Sequence, residues 1–379
     1  MEDKKLKQLY VVKRVLFITI ILYVAVFFVM NATNLSMDNI KRFGFELKTA
    51  FSGTKTDGAE TELTENTLSQ TEMFKNGIVR LSPNSITVYG KDFTKYSQHT
   101  VSMSNPVLRV SDNYILAFDR GGGVVTVFDS FKQLYSFTGQ TSIVNAGISN
   151  DGHVFIITQE HGYKSLLTIY DNSFRDIFKW EAADHYLLDC IFSKKNIVTV
   201  WGMNLSSTDI ALNTYIYTIN YTTAQQLNTL TIEDSVYVAG IAGKDTKIRM
   251  VMDSGIVLSD GQTSQVLYEF SSAAVGKFDQ SESYSAFAQV LDVSTSEQKL
   301  TVIDTAGNIQ FEKNFYEVTD IVLIGEQVYV LIPGKLFLFD IHGHELAQYE
   351  IGSAIKVCAS SENAVIIYAD RARNISIVR

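Results

Sequence analysis

KLTVID at 299–304 and KLFLFD at 335–340 are two copies of one phrase. The phrase recurs along the chain as SITVYG (85–90), VVTVFD (124–129), LLTIYD (166–171), YTINY (217–221), GIVLSD (255–260) and NISIVR (374–379). Each copy is a short run of β-branched and aliphatic residues, and most end in Asp. Such runs suit a buried, pleated strand, and a closing Asp can cap the turn after it. Aligned on Val88, Val127, Ile169, Ile219, Leu258, Val302, Leu338 and Ile377, the copies stand 39, 42, 50, 39, 44, 36 and 39 residues apart. A period near forty with room for four strands is the mark of a β-propeller blade.

The companion strands lie at regular offsets. A fourth strand follows the phrase, as at Leu134 to Phe137, Ile177 to Trp180, Val266 to Phe270 and Leu346 to Tyr349. A first strand ends in a turn of Ser, Asp, Asn or Gly, such as Ser149-Asn150-Asp151-Gly152. Second strands come next: YILAF, VFIIT, IVTVW, IRMVM, VYVLI and VIIYA. The chain has only three Pro, which fits strands that cannot spare backbone donors. No long apolar stretch with helical spacing occurs after residue 75, which excludes parallel α/β folds. A sandwich or solenoid is the competing all-β reading, and the regular four-strand period favours blades. Eight phrases predict eight blades. The first blade shows no clear inner strand and the last ends before its outer one, so seven blades closed by the two termini is the alternative.

Upstream, Val15 to Met30 reads VLFITIILYVAVFFVM, free of charge. Extended to Ala32, it reaches the lower end of what spans a bilayer, and it has no good cleavage site after it. It is expected to be an uncleaved signal-anchor, with the lipid bilayer as its partner. Five Lys/Arg precede it (Lys4, Lys5, Lys7, Lys13, Arg14), so the positive-inside rule puts the N-terminus in the cytoplasm and the rest outside the cell membrane. Met37, Ile40, Phe43, Leu47 and Phe51 stand three or four residues apart, an amphipathic helix signal. Ser52 to Gln70 is rich in Thr, Glu, Ser and Gly and reads as a stalk. The expected organisation is a cytoplasmic basic tail (1–14), a transmembrane helix (15–32), a juxtamembrane amphipathic segment and linker (33–73) and the propeller (74–379).

The 379 residues are 46% hydrophobic and carry a net charge of -9. Beyond residue 48 the charge is -13, from 24 basic and 37 acidic residues. So acidic a domain repels phosphate backbones, and nucleic-acid binding is not expected. Cys190 and Cys358 sit in apolar runs and read as small buried hydrophobes rather than a disulfide framework.

NPVLRVSDNYILAFDRGG (105–122), AGISNDGHVFIITQ (146–159) and FKWEAADHYLLD (178–189), together with the anchor, resemble a family of membrane-anchored bacterial proteins of unknown function with propeller-type repeats. The repeats are also similar to WD40-like and quinoprotein-like blades, without the Trp-containing signatures of either. The resemblance implies a tethered propeller of bacterial origin. It implies no catalytic residues, and the missing Trp motifs argue against a quinone.

No nucleophile elbow or Walker loop is present. Gly121-Gly122-Gly123 reads as a hairpin turn, because no helix follows to complete a phosphate cradle. His342 and His344 flank a Gly where the preceding repeat has its turn, and they read as a solvated hairpin rather than a metal pair. No catalytic residue, metal site or cofactor is expected. In a propeller, the loops joining strands two and three share a face with those joining one blade to the next. This places Arg120, Glu160, His161, Tyr163, Asp184, His185, Tyr186, Trp201, Met203 and Asn204 near one rim, beside a long loop running to Asn213. The expected function is a binding scaffold for a protein or envelope polymer. The alternative is an enzyme or sensor for a glycan or small ligand at the channel mouth.

Overall fold

The computed structural model describes residues 13–14, 18–19, 36–52, 57–63, 68–204, 212–243, 247–271 and 275–377. The expected anchor therefore lies outside the described residues except for Ile18 and Thr19, and no described helix is long and apolar enough to cross a membrane. The chain divides into two compact units, Met1–Thr54 and Lys55–Arg379.

The first unit contains a helix, Met37–Ser52, where the apolar spacing predicts one. The Ser36 hydroxyl accepts the Asn39 N–H at 3.1 Å and caps its start, and Asp38 adds an acid to the first turn. Met37, Ile40, Phe43 and Leu47, one stripe of the helix, are all exposed.

The second unit is the propeller. Its strands form eight four-stranded antiparallel sheets. We number the blades in chain order: 70–100, 106–138, 143–182, 186–232, 237–269, 275–316, 320–350, and last 356–376 with 60–62. Every copy of the phrase is the third strand of its blade. First strands of neighbouring blades contact one another in blades 1 to 5, in blades 6 to 8, and between blades 8 and 1. The seven-blade alternative is excluded. Blade 1 has its own inner strand, Gln70–Phe74. Blade 8 does lack an outer strand of its own, and Glu60–Glu62 supplies it by pairing with Arg371–Ser376. Leu63 N–H donates to the Asp370 carbonyl at 2.7 Å and Asn374 N–H to that of Ala59 at 2.9 Å. The propeller thus begins upstream of the Phe74 start read from sequence, and part of the expected stalk is structural.

Between neighbouring blades lie apolar joints. Phe74, Val79, Leu81, Ile86 and Val88 of blade 1 pack on Leu108, Ile115 and Phe128 of blade 2. At the far end, Cys358, Val365 and Ile367 of blade 8 pack on Ile78 of blade 1. Cys190 is buried in the joint of blades 3 and 4, so the two cysteines are free and separated. The joint between blades 5 and 6 has Ile256, Phe287 and Ile303 at its centre. There, the Arg249 guanidinium of blade 5 donates to the carbonyls of Ser281 and Tyr284 in blade 6.

The phrase-ending Asp residues act as read. Asp129, Asp260 and Asp304 each accept two backbone N–H groups of the following turn at 2.8–2.9 Å. Backbone and guanidinium donors from Arg175 hold the Asp171 carboxyl below its ordinary range. Asp340 does the same for His342 and His344 and also bonds the His344 ring at 2.7 Å, so these histidines belong to a capped turn. Gly121 takes φ +82°, while a Cβ on Gly123 would stand 2.2 Å from the Gly139 carbonyl.

Inner strands carry polar stitches. Gln70 accepts the Leu108 N–H at 2.9 Å, Asp279 that of Leu323 at 2.8 Å and Asp320 that of Val357 at 3.0 Å. Lys356 returns from blade 8 to Glu72 and the Thr71 carbonyl of blade 1, both at 2.8 Å.

Two outcomes are expected. Deleting residues 57–63 should lower the thermal midpoint and promote association, because the 371–376 edge is left unpaired. An unchanged midpoint by calorimetry would deny the closing role of this strand. Burial pushes the Asp279 carboxyl up to about 6, against the pull of the Leu323 and Gln280 N–H groups. Between about pH 4 and pH 6 the folded state keeps a proton that the unfolded chain has lost. Stability present below that window is therefore lost as pH rises through it, up to roughly 3 kcal/mol. Asp279→Ala should flatten this fall in denaturant titrations across the window, and a slope equal to that of the parent protein would refute the assignment.

Candidate binding rim and channel

The face carrying the strand-two-to-three and blade-to-blade loops is built around Lys164. This residue follows Tyr163 in the third strand of blade 3, Tyr163–Tyr170. Its ammonium donates to the Asp184 carbonyl at 2.7 Å and to Asn204 Oδ1 at 2.9 Å, and stands 5.3 Å from the Tyr186 ring centroid. One cation thereby ties the blade 3 hairpin, the connection to blade 4 and the first residue of the long blade 4 loop. Tyr163 is 41% exposed and Tyr186 36%. His161 and Asp184 are exposed, with Glu160 and Met203 half-buried. The Glu181 carboxylate beside Tyr163 pushes its phenol up.

His185 sits in an aromatic niche on this rim, 4.1 Å from the Tyr215 centroid and 2.8 Å from the Tyr217 hydroxyl. Burial holds its imidazole below the ordinary range despite the nearby Asp184 carboxylate. Burial also pushes Tyr217 up to about 12. Residues 205–211 of the long loop, expected to form part of the site, lie outside the described residues.

Trp201 is a correction. It stands in the second strand of blade 4, Ile197–Met203, with 0% exposure. Its ring stacks on Tyr237 at 4.5 Å, and Nε1 donates to Met250 Sδ at 3.0 Å. The indole belongs to the joint of blades 4 and 5 and offers nothing to the rim. Arg120 is exposed, but its field acts on the channel. Gly121 N–H donates to the Ile143 carbonyl and Ile143 N–H to that of Gly122, both at 2.8 Å, docking the loop on the inner strand of blade 3. From there Arg120 interacts with Arg109 and Asp189 rather than with the Lys164 cluster.

The sequence reading put its alternative site at the channel mouth but named none of the channel residues. Asp189, on the inner strand of blade 4, accepts Asn145 Nδ2 at 2.8 Å from blade 3 and the Tyr237 hydroxyl at 2.9 Å from blade 5. It also accepts the Cys190 N–H at 2.8 Å. Burial pushes the carboxyl up, opposed by the Cys190 N–H, the Tyr237 hydroxyl, Arg109 and Arg120. The same burial, with the Asp189 charge, pushes the Tyr237 phenol up. The signal lay in lone polar residues inside apolar inner strands, Asp189 in YLLDCIF and Asn145 in IVNAGI. A cavity of about 990 Å³ opens beside Asp189 toward the opposite face. No group of three or more His, Cys, Asp or Glu among the described residues is placed to hold a metal.

Trp201→Ala should therefore destabilise by roughly 3–5 kcal/mol, whereas Tyr163→Ala and Tyr186→Ala should stay within about 0.5 kcal/mol. Chemical denaturation separates the two classes, and a stable Trp201→Ala protein would return the indole to the list of binding residues.

A model of the family of unknown function DUF5711 matches residues 49–377. No curated protein sequence matches the chain. Among solved structures, BamB from Moraxella catarrhalis aligns with a TM-score of 0.53 at 12% identity, covering 84% of this chain and 100% of that one. The C-terminal WD40 domain of Sif2 aligns with a TM-score of 0.61 at 10% identity, covering 85% and 98%. Quinohemoprotein alcohol dehydrogenase from Comamonas testosteroni aligns with a TM-score of 0.51 at 8% identity, covering 85% and 77%. At these identities the likeness is one of fold.

Proposed function

The chain belongs to the family of unknown function DUF5711, and we propose that it is a membrane-tethered scaffold. Its propeller, outside the cytoplasm, captures a protein or an envelope polymer on the rim of blades 3 and 4. The observation that carries this reading is the Lys164 knot. It fixes three loop segments from two blades and leaves Tyr163, Tyr186, His161 and Asp184 open to solvent. Tyrosines give large contact area at low conformational cost, and a pre-fixed loop set loses little entropy on binding. The tether is supported by the uncharged apolar run from Val15 to Met30 behind a basic tail. The helix that follows carries the exposed stripe of Met37, Ile40, Phe43 and Leu47, apolar surface of the kind that lies in a bilayer interface.

The test is cross-linking in intact cells of the source organism, followed by affinity purification of the tagged full-length protein and mass spectrometry. A partner recovered in stoichiometric amount should be reduced at least about tenfold by the double variant Tyr163→Ala, Tyr186→Ala, as expected for paired interface anchors of more than 1 kcal/mol. Undiminished recovery with the double variant would remove the rim from the reading.

A further inference from the structure

The cavity beside Asp189 lies at the other end of the strands from the rim. Its mouth is formed by hairpins joining first and second strands: Ser149 to His153 in blade 3 and Lys194 to Asn196 in blade 4. Its inner wall is made from the first strands of blades 2 to 5. Two features set this region apart from the rest of the propeller.

The first is charge. Arg109, Lys194 and Lys195 all line the cavity and are exposed to it. None of the three is in an ion pair among the described residues, although the domain carries a large excess of acids. The two carboxylates of the lining are already engaged. Asp189 holds the Asn145, Cys190 and Tyr237 donors, and Asp151 holds the Ser149 hydroxyl and lies 3.1 Å from His153 Nδ1. The lining thus presents three cations that form no ion pair among the described residues, one of them the Arg109 guanidinium on the inner strand of blade 2, whose field also favours the Asp189 carboxylate. Guanidinium geometry matches a carboxylate or phosphate through two parallel hydrogen bonds.

The second is shape. Ala239, Gly240 and Ala242 of blade 5 and Gly147 of blade 3 remove side-chain volume from the channel wall. A Cβ on Gly147 would stand 2.3 Å from the Phe155 ring, so only glycine lets that ring lie over the inner strand. Phe192 and His153, both half-buried, form an aromatic wall backed by the buried rings of Phe155 and Tyr221, with successive centroids 5.9–6.2 Å apart. At about 990 Å³ the space is at the top of the range for small-molecule sites, more than a single sugar ring fills.

An aromatic wall accepts the C–H face of a sugar ring, the Asn196 amide can meet hydroxyls, and the cations demand acid groups spaced along the ligand. We propose that this cavity binds an acidic oligosaccharide, with Arg109 gripping an acid group inside and Lys194 and Lys195 holding another at the mouth. The site is independent of the rim and of any partner captured there.

The test is calorimetric titration of the full-length protein with oligogalacturonate, with a phosphate-bearing oligosaccharide, with a neutral malto-oligosaccharide of equal length, and with inorganic phosphate. At least one acidic oligomer should bind, and its affinity should fall with added salt. Arg109→Ala should weaken binding at least tenfold, and the double variant Lys194→Glu, Lys195→Glu should do so without moving the thermal midpoint, because both lysines are exposed. Phe192→Leu should weaken the acidic oligomer while leaving any binding of inorganic phosphate unchanged. Equal binding of the neutral sugar, equal binding of inorganic phosphate alone, indifference to the charge variants, or no binding of either acidic oligomer would each overturn the proposal.

Discussion

Everything in the propeller depends on apolar joints that form a closed cycle. A lone four-stranded sheet of this composition would expose two oily faces, so each blade is stable only between two neighbours. The cycle must end where it began, and it does so when blade 8 packs Val365 and Ile367 against Ile78 of blade 1. Three residues from upstream of the first blade complete the sheet there, at Glu60–Glu62. Their contribution is backbone pairing more than side-chain burial, since Glu60 and Glu62 are exposed and only Leu63 behind them is buried.

That division explains what the sequence made legible. The third strand of each blade has blade surfaces on both sides, so both of its faces are apolar and its phrase stands out, as in KLTVID and VVTVFD. The closing strand reads ETE and is invisible to any apolar pattern, because what fixes it is hydrogen bonding to Arg371–Ser376. The inner strand of blade 1, QTEMF, was missed for a related reason: Gln70 and Glu72 face polar partners in neighbouring blades. Trp201 misled in the opposite sense. An indole at a strand end next to a long loop looks like a binding residue, and only the three-dimensional position of Tyr237 and Met250 reveals that it is core.

The inner ring is where polar chemistry is tolerated, and it is not uniform. In blades 6 to 8 and 1, Asp279, Asp320 and Lys356 feel one another's charge or that of Glu72, and each acts mainly as a stitch to the next blade. The inner strands of blades 2 to 5 instead combine Arg109 with the Asp189 carboxyl and with alanines and glycines. Stitches consume their polar groups, so the acidic half of the ring is spent on holding blades together. The half with glycine and cations outside ion pairs opens about 990 Å³, against about 460 Å³ in the cavity beside Glu72 and Lys356.

Asp189 connects these two uses. Its hydrogen bonds join blades 3, 4 and 5, which makes it a stitch like Asp279. It also forms part of the cavity wall and feels Arg120, whose loop belongs to the opposite face. Burial alone would favour the neutral acid, while Arg109, Arg120 and the Tyr237 hydroxyl favour the carboxylate. Arg109, one of the cations that favour the carboxylate, also lines the cavity, where an anion would engage it. Any acid group drawn to Arg109 competes with Asp189 for the same positive field, and the cost of that competition falls when Asp189 takes up a proton. The carboxyl that holds the joint thus shares the Arg109 field with any acid group that enters the cavity.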